Sequence, residues 1–226
     1  MNPFLTASTV AVTLACLWGF YEIATDVRTS EAIARFDTVM TAAIQSFRSP
    51  RLDLFMKFMT YAGGTIGVTT FTLALVLYLR SQGRPGAATF AGTLVIGGTI
   101  LAGFFKSVMR RVRPHEALAL INMPSSSSFP SGHSMASMSL AIAVMQVAVF
   151  SPAIGWFGTT LVVVGAVLYA LLVGVSRVYL GVHWPSDVVA AWLLAGAWVF
   201  GAISVNRLFL QDVPSATPAE FNPQAH

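Results

Sequence analysis

Charged residues and cysteines are both scarce in this sequence of 226 residues. Aspartate, glutamate, lysine and arginine together make up 10% of the chain, whereas soluble domains carry about 25%. So little charge is not enough to cover a globular surface in water, and a hydrophobic content of 55% excludes an intrinsically disordered chain. The single cysteine, Cys16, cannot form an internal disulfide, which excludes a disulfide-stabilised scaffold.

The sequence instead has long uncharged runs, and its charges are confined to the short segments between them. This distribution is typical of a polytopic membrane protein, and it argues against reading the net charge of +4 as a sign of nucleic-acid binding. A helix needs about 20 apolar residues to cross a hydrocarbon core of about 30 Å, so the 43-residue run 134–176 must fold back once. The break is expected at Ser151–Pro152, because proline stops a helix.

These runs predict an all-α fold, a polytopic bundle of six transmembrane helices. The spans are expected to be helices because backbone amides in lipid have to bond within their own segment. Their spacing leaves little room for a soluble domain, so residues 1–210 are expected to form one membrane-embedded domain. The predicted spans are 3–22, 57–79, 86–108, 133–150, 156–175 and 187–208.

Two segments outside the spans have patterns of their own. Residues 30–47 place apolar side chains such as Ile33, Met40 and Phe47 at helical spacing, with polar side chains on the other side. The pattern predicts an amphipathic helix that lies in the membrane interface, caps the bundle, or does both. Residues 211–226 contain three prolines and little to bury, and are expected to be a disordered tail.

A basic cluster that precedes Pro114 ends the third span. If the helix continues through it, seven residues turn by about 700°, so Lys106 and Arg113 point the same way. Arg110 then lies between them, and Arg111 falls off that face. Cations on one face repel each other unless an anion joins them. The alternative is a stop-transfer or headgroup-binding cluster, which basic residues at the end of a span commonly form.

A second polar cluster, residues 125–133, leads into the fourth span and contains four consecutive serines. Gly132 lets a ligand approach the backbone closely, and consecutive amides at the start of a helix bind anions. Ser131 adds a hydroxyl, and His133 adds an imidazole that can titrate. The alternative is a serine-rich loop in which Ser131 only caps the helix.

The third cluster, residues 176–187, places Arg177, His183 and Asp187 between the fifth and sixth spans. Asp187 follows His183 by four residues, so its carboxylate can accept one imidazole N–H and leave the other ring nitrogen with a free electron pair. A histidine held in this way can act as a nucleophile. The alternative is a structural His–Asp pair at a helix start.

The order of the spans predicts that the three clusters meet. Six spans alternate sides, so the ends of the third and fifth and the starts of the fourth and sixth all lie at one face. That face would hold three cations, two histidines and the backbone amides at 131–132, a set suited to a multiply charged anion. No group of His, Cys and carboxylates has metal-ligand spacing, so neither a metal nor another cofactor is expected.

Together the motifs resemble the three-part signature of the type 2 phosphatidic acid phosphatase superfamily. This superfamily contains membrane lipid phosphatases, bacterial acid phosphatases and vanadium haloperoxidases. All three motifs are complete and in order, and the six-span layout extends the resemblance to the whole chain. The residues that carry it are Lys106-x6-Arg113-Pro114, Pro130-Ser131-Gly132-His133 and Ser176-Arg177-x5-His183-x3-Asp187.

The resemblance implies a role for each motif residue. His183 would attack phosphorus and form a phosphohistidine, while Asp187 would orient and polarise it. His133 would protonate the leaving alkoxide and then help to activate water. The residues implied to hold the phosphoryl oxygens are Lys106, Arg113, Ser131, Gly132 and Arg177.

Within the superfamily, the membrane spans favour a lipid substrate. The resemblance therefore implies a metal-independent hydrolase acting on a phosphomonoester or pyrophosphate of a lipid, such as undecaprenyl pyrophosphate, phosphatidylglycerol phosphate or phosphatidic acid. The expected partners are this substrate and the bilayer, with no nucleic acid. Two alternatives remain open: a phosphotransferase that passes the phosphoryl group to another lipid or sugar, and a non-catalytic membrane module that binds anionic headgroups.

The resemblance also implies a location in the inner membrane of a bacterial cell, with the site on the extracytoplasmic face. This orientation leaves only Arg80, Arg84 and Arg207 on the cytoplasmic side, three of the 13 lysines and arginines. The positive-inside rule predicts the reverse. Because three of the other cations belong to the phosphate-binding motifs, their positions are expected to serve function, and the extracytoplasmic site stays the prediction.

Overall fold

The computed structural model describes residues 3–151 and 154–206. Within these residues the chain forms eight α-helices and one short 3-10 turn, Glu116–Leu118, which confirms the all-α prediction. The helices are α1 (Pro3–Asp26), α2 (Glu31–Gln45), α3 (Pro50–Ala62), α4 (Thr65–Ser81), α5 (Pro85–Met109), α6 (Gly132–Val149), α7 (Gly155–Tyr179) and α8 (Pro185–Val205).

Five of these helices, namely α1, α5, α6, α7 and α8, are long and apolar enough to cross a membrane. α3 and α4 pass the same test together and make a sixth span if the pair crosses as one. The predicted bounds of the other five spans agree with the helix bounds to within four residues wherever the structure describes the chain. Three predicted features lie outside the described residues: the end of the last span (207–208), Pro152 at the break, and the tail (211–226).

The prediction of a single helix for the second span, 57–79, is wrong. α3 ends at Ala62 and α4 begins at Thr65, and the two helices are bent by 55°. Gly63 packs so closely on α7 that a Cβ atom there would lie 2.2 Å from Cγ1 of Val173. Gly64 follows directly in an extended conformation and caps the start of α4, so the chain changes direction next to this contact.

α2 lies across one end of the bundle, where it contacts α7 and α8. The side chains that it buries are polar, Asp37 and Thr41, whereas the apolar Phe36 and Met40 stay exposed. α2 therefore caps the bundle with polar groups and keeps apolar side chains outside, and its position in the membrane interface stays a prediction.

α6 and α8 are the central helices of the bundle. In each of them 56% of the most apolar segment is buried, against 33% or less in α1, α5 and α7. Small residues let neighbouring helices approach α8: a Cβ atom at Gly174 of α7 would lie 2.3 Å from the ring of Trp192. The first turns of α6 and α8 belong to this rigid centre, which fixes the positions of the side chains that the second and third motifs place there.

Candidate active site

The three predicted clusters lie together at one end of the bundle, as the alternating topology implied. The N–H of Ser131 donates to the carbonyl of Asp187 (3.1 Å), which joins the start of α6 to the start of α8. Arg113 donates from Nη1 to the carbonyl of Val182 (2.6 Å), which joins the loop after α5 to the loop before α8. The site is therefore built from two interhelical loops and four helix ends.

Arg113 lies in the site, but it is placed there by a loop and not by the predicted helix. α5 ends at Met109, and Arg110 follows with a φ of 47°, a left-handed conformation that stops the helix. The helical spacing argument for Lys106 and Arg113 is therefore wrong, because Arg113 lies in the loop. The two cations converge nonetheless, since Lys106 Nζ (2.6 Å) and Arg113 Nη2 (3.2 Å) both donate to the carbonyl of Ser127.

His183 is buried between a cation and a carboxylate. Its Nε2 atom lies 3.2 Å from Nη1 of Arg113, and its Nδ1 atom lies 3.3 Å from Oδ2 of Asp187. Because a guanidinium can only donate, Nε2 accepts and the ring proton sits on Nδ1, where the carboxylate accepts it.

The charge state of His183 follows from its surroundings. The pKa of His183 is lowered to about 3, mainly by burial; the contact with Asp187 opposes this shift, and the guanidinium groups of Arg177 and Arg113 add to it. Burial also lowers the pKa of Arg113, which nevertheless stays a cation at neutral pH. At neutral pH the ring of His183 is therefore a neutral imidazole whose electron pair on Nε2 faces a cation.

Asp187, the third residue of α8, is held through both of its oxygens. Oδ2 accepts the N–H of Trp184 (2.9 Å) and the hydroxyl of Ser128, and Oδ1 accepts Nη1 of Arg111 (2.6 Å). These donors and the positive end of α8 stabilise a carboxylate. The carboxylate is thereby fixed in the orientation that meets Nδ1 of His183.

Arg177, in the last turn of α7, is a buried cation with unused hydrogen-bonding capacity. Its Nη1 donates to the hydroxyl of Thr60 on α3, while its Nε has no hydrogen-bond partner within residues 3–151 and 154–206. Its carbonyl accepts the N–H of His183 (3.3 Å). The guanidinium also lies close enough to Lys106 and Arg113 to interact with their charges. A buried, unpaired N–H among cations is suited to binding an anion.

Ser131 forms the helix cap that the alternative interpretation expected. Its buried hydroxyl accepts the N–H (3.4 Å) and the hydroxyl (2.9 Å) of Ser134 in the first turn of α6. The cap does not exclude a binding role, because a capped helix start still presents the positive end of its dipole to the site.

Gly132 and His133 follow Ser131 in the first turn of α6. A Cβ atom at Gly132 would lie 3.6 Å from Cε of Lys106, and one at Gly64 would lie 3.3 Å from Nε2 of His133. His133 lies close enough to His183 for a positive charge on either ring to act on the other. All eight predicted site residues are therefore at the same end of the bundle.

Two clefts meet at Lys106. One, of about 550 Å³, runs between α4, α5 and α6; Gly132 and His133 line its site end, and apolar side chains such as Val95 and Ile96 line much of the rest. The other, of about 540 Å³, is lined by polar groups, with arginines from the loop 110–113 facing serines 125–127. The site thus lies between an apolar cleft and a basic one.

Asp37 and Arg111 belong to the hydrogen-bond network of the site but are not among the predicted site residues. Arg111 was expected to point away from the other cations, and Asp37 was not singled out. Two features of the sequence could have indicated these residues. Pro114 disfavours a helical conformation at Arg113, which places the end of α5 earlier, and Asp37 is four residues from Ile33, on the apolar side of α2.

Comparisons with known proteins agree with this geometry. The model of the PAP2 superfamily matches residues 86–209. The chain is 32% identical over 152 residues to an undecaprenyl-diphosphatase of Sulfolobus acidocaldarius, covering 66% of this chain and 67% of the relative. It is 31% identical over 179 residues to phosphatidylglycerophosphatase B of Bacillus subtilis, covering 73% of this chain and 80% of the relative.

The fold has a solved counterpart. A transmembrane PAP2-type phosphatidylglycerolphosphate phosphatase from Bacillus subtilis superposes with a TM-score of 0.78 at 24% identity, over 86% of this chain and 96% of that chain. The superposition supports the architecture, and the sequence matches confirm the resemblance that the three motifs carry. The chain therefore belongs to the PAP2 superfamily and is a membrane lipid phosphatase of that family.

Proposed function

We propose that the enzyme hydrolyses a lipid phosphate or diphosphate through a phosphohistidine at His183, without a metal ion. The observation that supports this most directly is the environment of Nε2 of His183. This nitrogen carries no proton and lies 3.2 Å from Nη1 of Arg113. The guanidinium of the buried Arg177 is close enough to act on the charge of the same ring. A nucleophilic nitrogen next to cations suits attack on a phosphoryl group.

In the first step, Arg113 exchanges its hydrogen bond to Nε2 of His183 for one to a phosphoryl oxygen. The freed electron pair on Nε2 forms the bond to phosphorus while the bond from phosphorus to the leaving oxygen breaks. Asp187 keeps its hydrogen bond from Nδ1 and stabilises the positive charge that the ring acquires. His133, in its protonated form, gives its proton to the leaving oxygen. In the second step, His133 takes a proton from water, the water oxygen bonds to phosphorus, and the bond to Nε2 breaks.

The phosphoryl oxygens are held by the surrounding donors in this mechanism. Lys106, Arg113 and Arg177 supply the positive charge, and Ser131 with Gly132 supplies the start of α6. The buried Nε of Arg177, which lacks a partner within the described residues, is ready to donate to an oxygen. Preorganised donors of this kind stabilise the charge that spreads over the phosphoryl oxygens in the transition state.

The two clefts support a lipid substrate with its phosphate at Lys106. The apolar cleft between α4, α5 and α6 is suited to the hydrocarbon chain, and the basic cleft is suited to the phosphate side of the substrate. Undecaprenyl diphosphate and phosphatidylglycerol phosphate are the first candidates, because the names of the relatives indicate these compounds. Phosphatidic acid is the third candidate.

Phosphate release from these three lipids tests the reaction. The protein, purified in detergent, is expected to release phosphate from at least one of them in excess EDTA, and His183→Ala is expected to abolish the release. His115→Ala is the matched control, because His115 is exposed in the loop after α5. Full activity of His183→Ala would overturn the mechanism. Consumption of lipid without release of phosphate would indicate transfer to an acceptor instead of hydrolysis.

We also propose that residues 1–210 form one domain in a bacterial inner membrane, with the site on the extracytoplasmic face. The turn between α4 and α5, which contains Gln82, connects the ends of these helices that lie opposite the site. In a Cys16→Ala background, an impermeant thiol reagent applied to intact cells should label Glu116→Cys in the site loop and leave Gln82→Cys unlabelled. The opposite labelling pattern would reverse the orientation.

A further inference from the structure

A chain of buried charges connects α2 to the proposed catalytic carboxylate. Arg111 donates from Nη1 to Oδ1 of Asp187 (2.6 Å) and from Nη2 to Oδ2 of Asp37 (2.5 Å). The side chain of Arg111 is 12% exposed, and those of Asp37 and Asp187 are 2% and 0% exposed. Buried charges are costly unless they are paired, so this carboxylate–guanidinium–carboxylate arrangement constrains all three side chains.

Arg111 meets the oxygen of Asp187 that His183 does not use. His183 and Ser128 bind Oδ2 of Asp187, whereas Arg111 binds Oδ1. The guanidinium is also occupied by Ser186, whose hydroxyl accepts from Nη1 at 2.7 Å. The donors of Arg111 are thus directed at Asp37, Ser186 and Asp187, and its contact with the reaction passes through Asp187.

Asp37 anchors the far end of this chain on the first turn of α8. Its Oδ1 accepts the N–H of Ser186 (2.9 Å), and its Oδ2 accepts the Ser186 hydroxyl (2.6 Å). A carboxylate at a helix N-terminus is stabilised by the unpaired amides and the dipole of the helix. Asp37 on α2 therefore fixes both Arg111 and the turn of α8 that contains Asp187.

The backbone of Arg111 adds a second connection to the site. Its carbonyl accepts the N–H of Ser128 (2.9 Å), the residue whose hydroxyl donates to Asp187. Its guanidinium lies 6.0 Å from the centre of the Trp184 ring, and Trp184 donates its backbone N–H to Asp187. Arg111 is thus fixed to two of the groups that hold the carboxylate, in addition to holding the carboxylate itself.

We propose that Arg111 and Asp37 are positioning residues for the phosphatase reaction. They set the orientation and charge of Asp187, and Asp187 in turn sets the tautomer and orientation of the His183 ring. This inference rests on the proposed function, since it acts through the nucleophile. Misplacement of a reacting group by about 1 Å can cost about 100-fold in rate. Loss of Arg111 should therefore lower kcat and leave KM unchanged, because Arg111 lines the basic cleft but donates its hydrogen bonds to Asp37, Ser186 and Asp187.

The test measures kcat and KM for phosphate release by Arg111→Met, which keeps the length of the side chain, and by the milder Asp37→Asn. We expect kcat to fall by about 10- to 100-fold for Arg111→Met and several-fold for Asp37→Asn, with KM within about twofold of the unchanged chain. Arg35→Met and Glu31→Gln, both exposed on α2, are the matched controls and should keep full activity. Rates are normalised to folded, monodisperse protein.

A double-mutant cycle separates positioning from general destabilisation. In the background of Asp187→Asn, Arg111→Met should lower kcat by less than about threefold, because its effect passes through the missing carboxylate. Full kcat for Arg111→Met, a change confined to KM, or equal losses in both backgrounds would overturn the proposal. Failure of the proposed function has a different signature, which is full activity of His183→Ala.

Discussion

Arg113 donates from Nη1 to Nε2 of His183, with 3.2 Å between the two nitrogens. The same guanidinium donates to the carbonyls of Val182 (2.6 Å), Ser126 (2.8 Å, from Nε) and Ser127 (3.2 Å, from Nη2). With the hydroxyl of Ser126 (3.3 Å, from Nη2), five acceptors on two loops fix the plane of the guanidinium next to the proposed nucleophile. A phosphoryl group that approaches Nε2 would take over the N–H that Arg113 directs at this nitrogen, from a guanidinium whose position is already set.

Arg113→Lys should therefore be strongly impaired although it keeps the charge. An ammonium group is a single point of charge and cannot replace a planar fork that bonds both loops and an incoming oxygen. Removal of one preorganised donor typically costs about 100- to 1,000-fold in kcat, and we expect a loss in this range. Steady-state kinetics of phosphate release measure it, with the exposed Arg51→Lys as control. A loss below about threefold would mean that the bonding pattern of Arg113 does not matter for the reaction.

The tautomer of His183 can be observed directly. Because burial lowers the pKa of His183 to about 3, its ring should stay neutral, with the proton on Nδ1, from pH 7 down to about pH 5. A solvated histidine with a pKa near 6.5 would be mostly protonated at pH 5. Nitrogen chemical shifts of protein with ¹⁵N-labelled histidine measure this, and His183→Gln identifies the signal. A His183 ring that gains a proton between pH 7 and pH 5 would contradict the assignment.

The same lowered pKa predicts how stability depends on pH. Folded His183 binds a proton only below about pH 3, whereas the unfolded chain binds it below about pH 6.5. Between these values the unfolded state holds more protons, so stability is lost as the pH falls, by at most about 1.4 kcal/mol per pH unit. His183→Gln lacks this proton, so its Tm in detergent should fall less between pH 7 and pH 5 than the Tm of the unchanged chain. Equal decreases would contradict the prediction.

The sequence alone was sufficient to predict those parts of the fold that depend on a local pattern of residues. The uncharged runs located α1, α5, α6, α7 and α8 because a transmembrane helix has to be long and apolar. The alternation of spans then implied that Lys106, Arg113 and Arg177 meet, although they are separated along the chain.

The sequence was not sufficient where a tertiary contact decides the outcome. Gly63 and Gly64 lie in an apolar run, and only the contact of Gly63 with Val173 shows why the helix breaks there. Likewise, Arg111 enters the site because α5 stops at Met109, and Asp37 is buried because a partner for it comes from another part of the chain. A contact between side chains of two different helices produces no regular pattern in one sequence, so it is hard to predict from the sequence alone.

The contact between Gly63 and α7 gives a prediction about the fold itself. A Cβ atom at Gly63 would lie 2.2 Å from Cγ1 and 2.7 Å from Cγ2 of Val173, so Gly63→Ala has to push α3 away from α7. Overpacking of this kind typically costs about 1–3 kcal/mol. We expect a lower Tm for Gly63→Ala, whereas Gly165→Ala on α7, where a Cβ atom would meet nothing within 4 Å, should be neutral or slightly stabilising.

The reciprocal change identifies the cause. Val173→Ala removes both methyl groups that Gly63→Ala would strike, so the double variant should regain part of the Tm that Gly63→Ala loses. Activity should follow, because α3 and α7 also meet where Thr60 accepts a hydrogen bond from Arg177. Separating these helices therefore moves a cation that we propose to bind the phosphate. If the double variant is less stable than Gly63→Ala alone, the clash with Val173 is not what limits the residue at position 63.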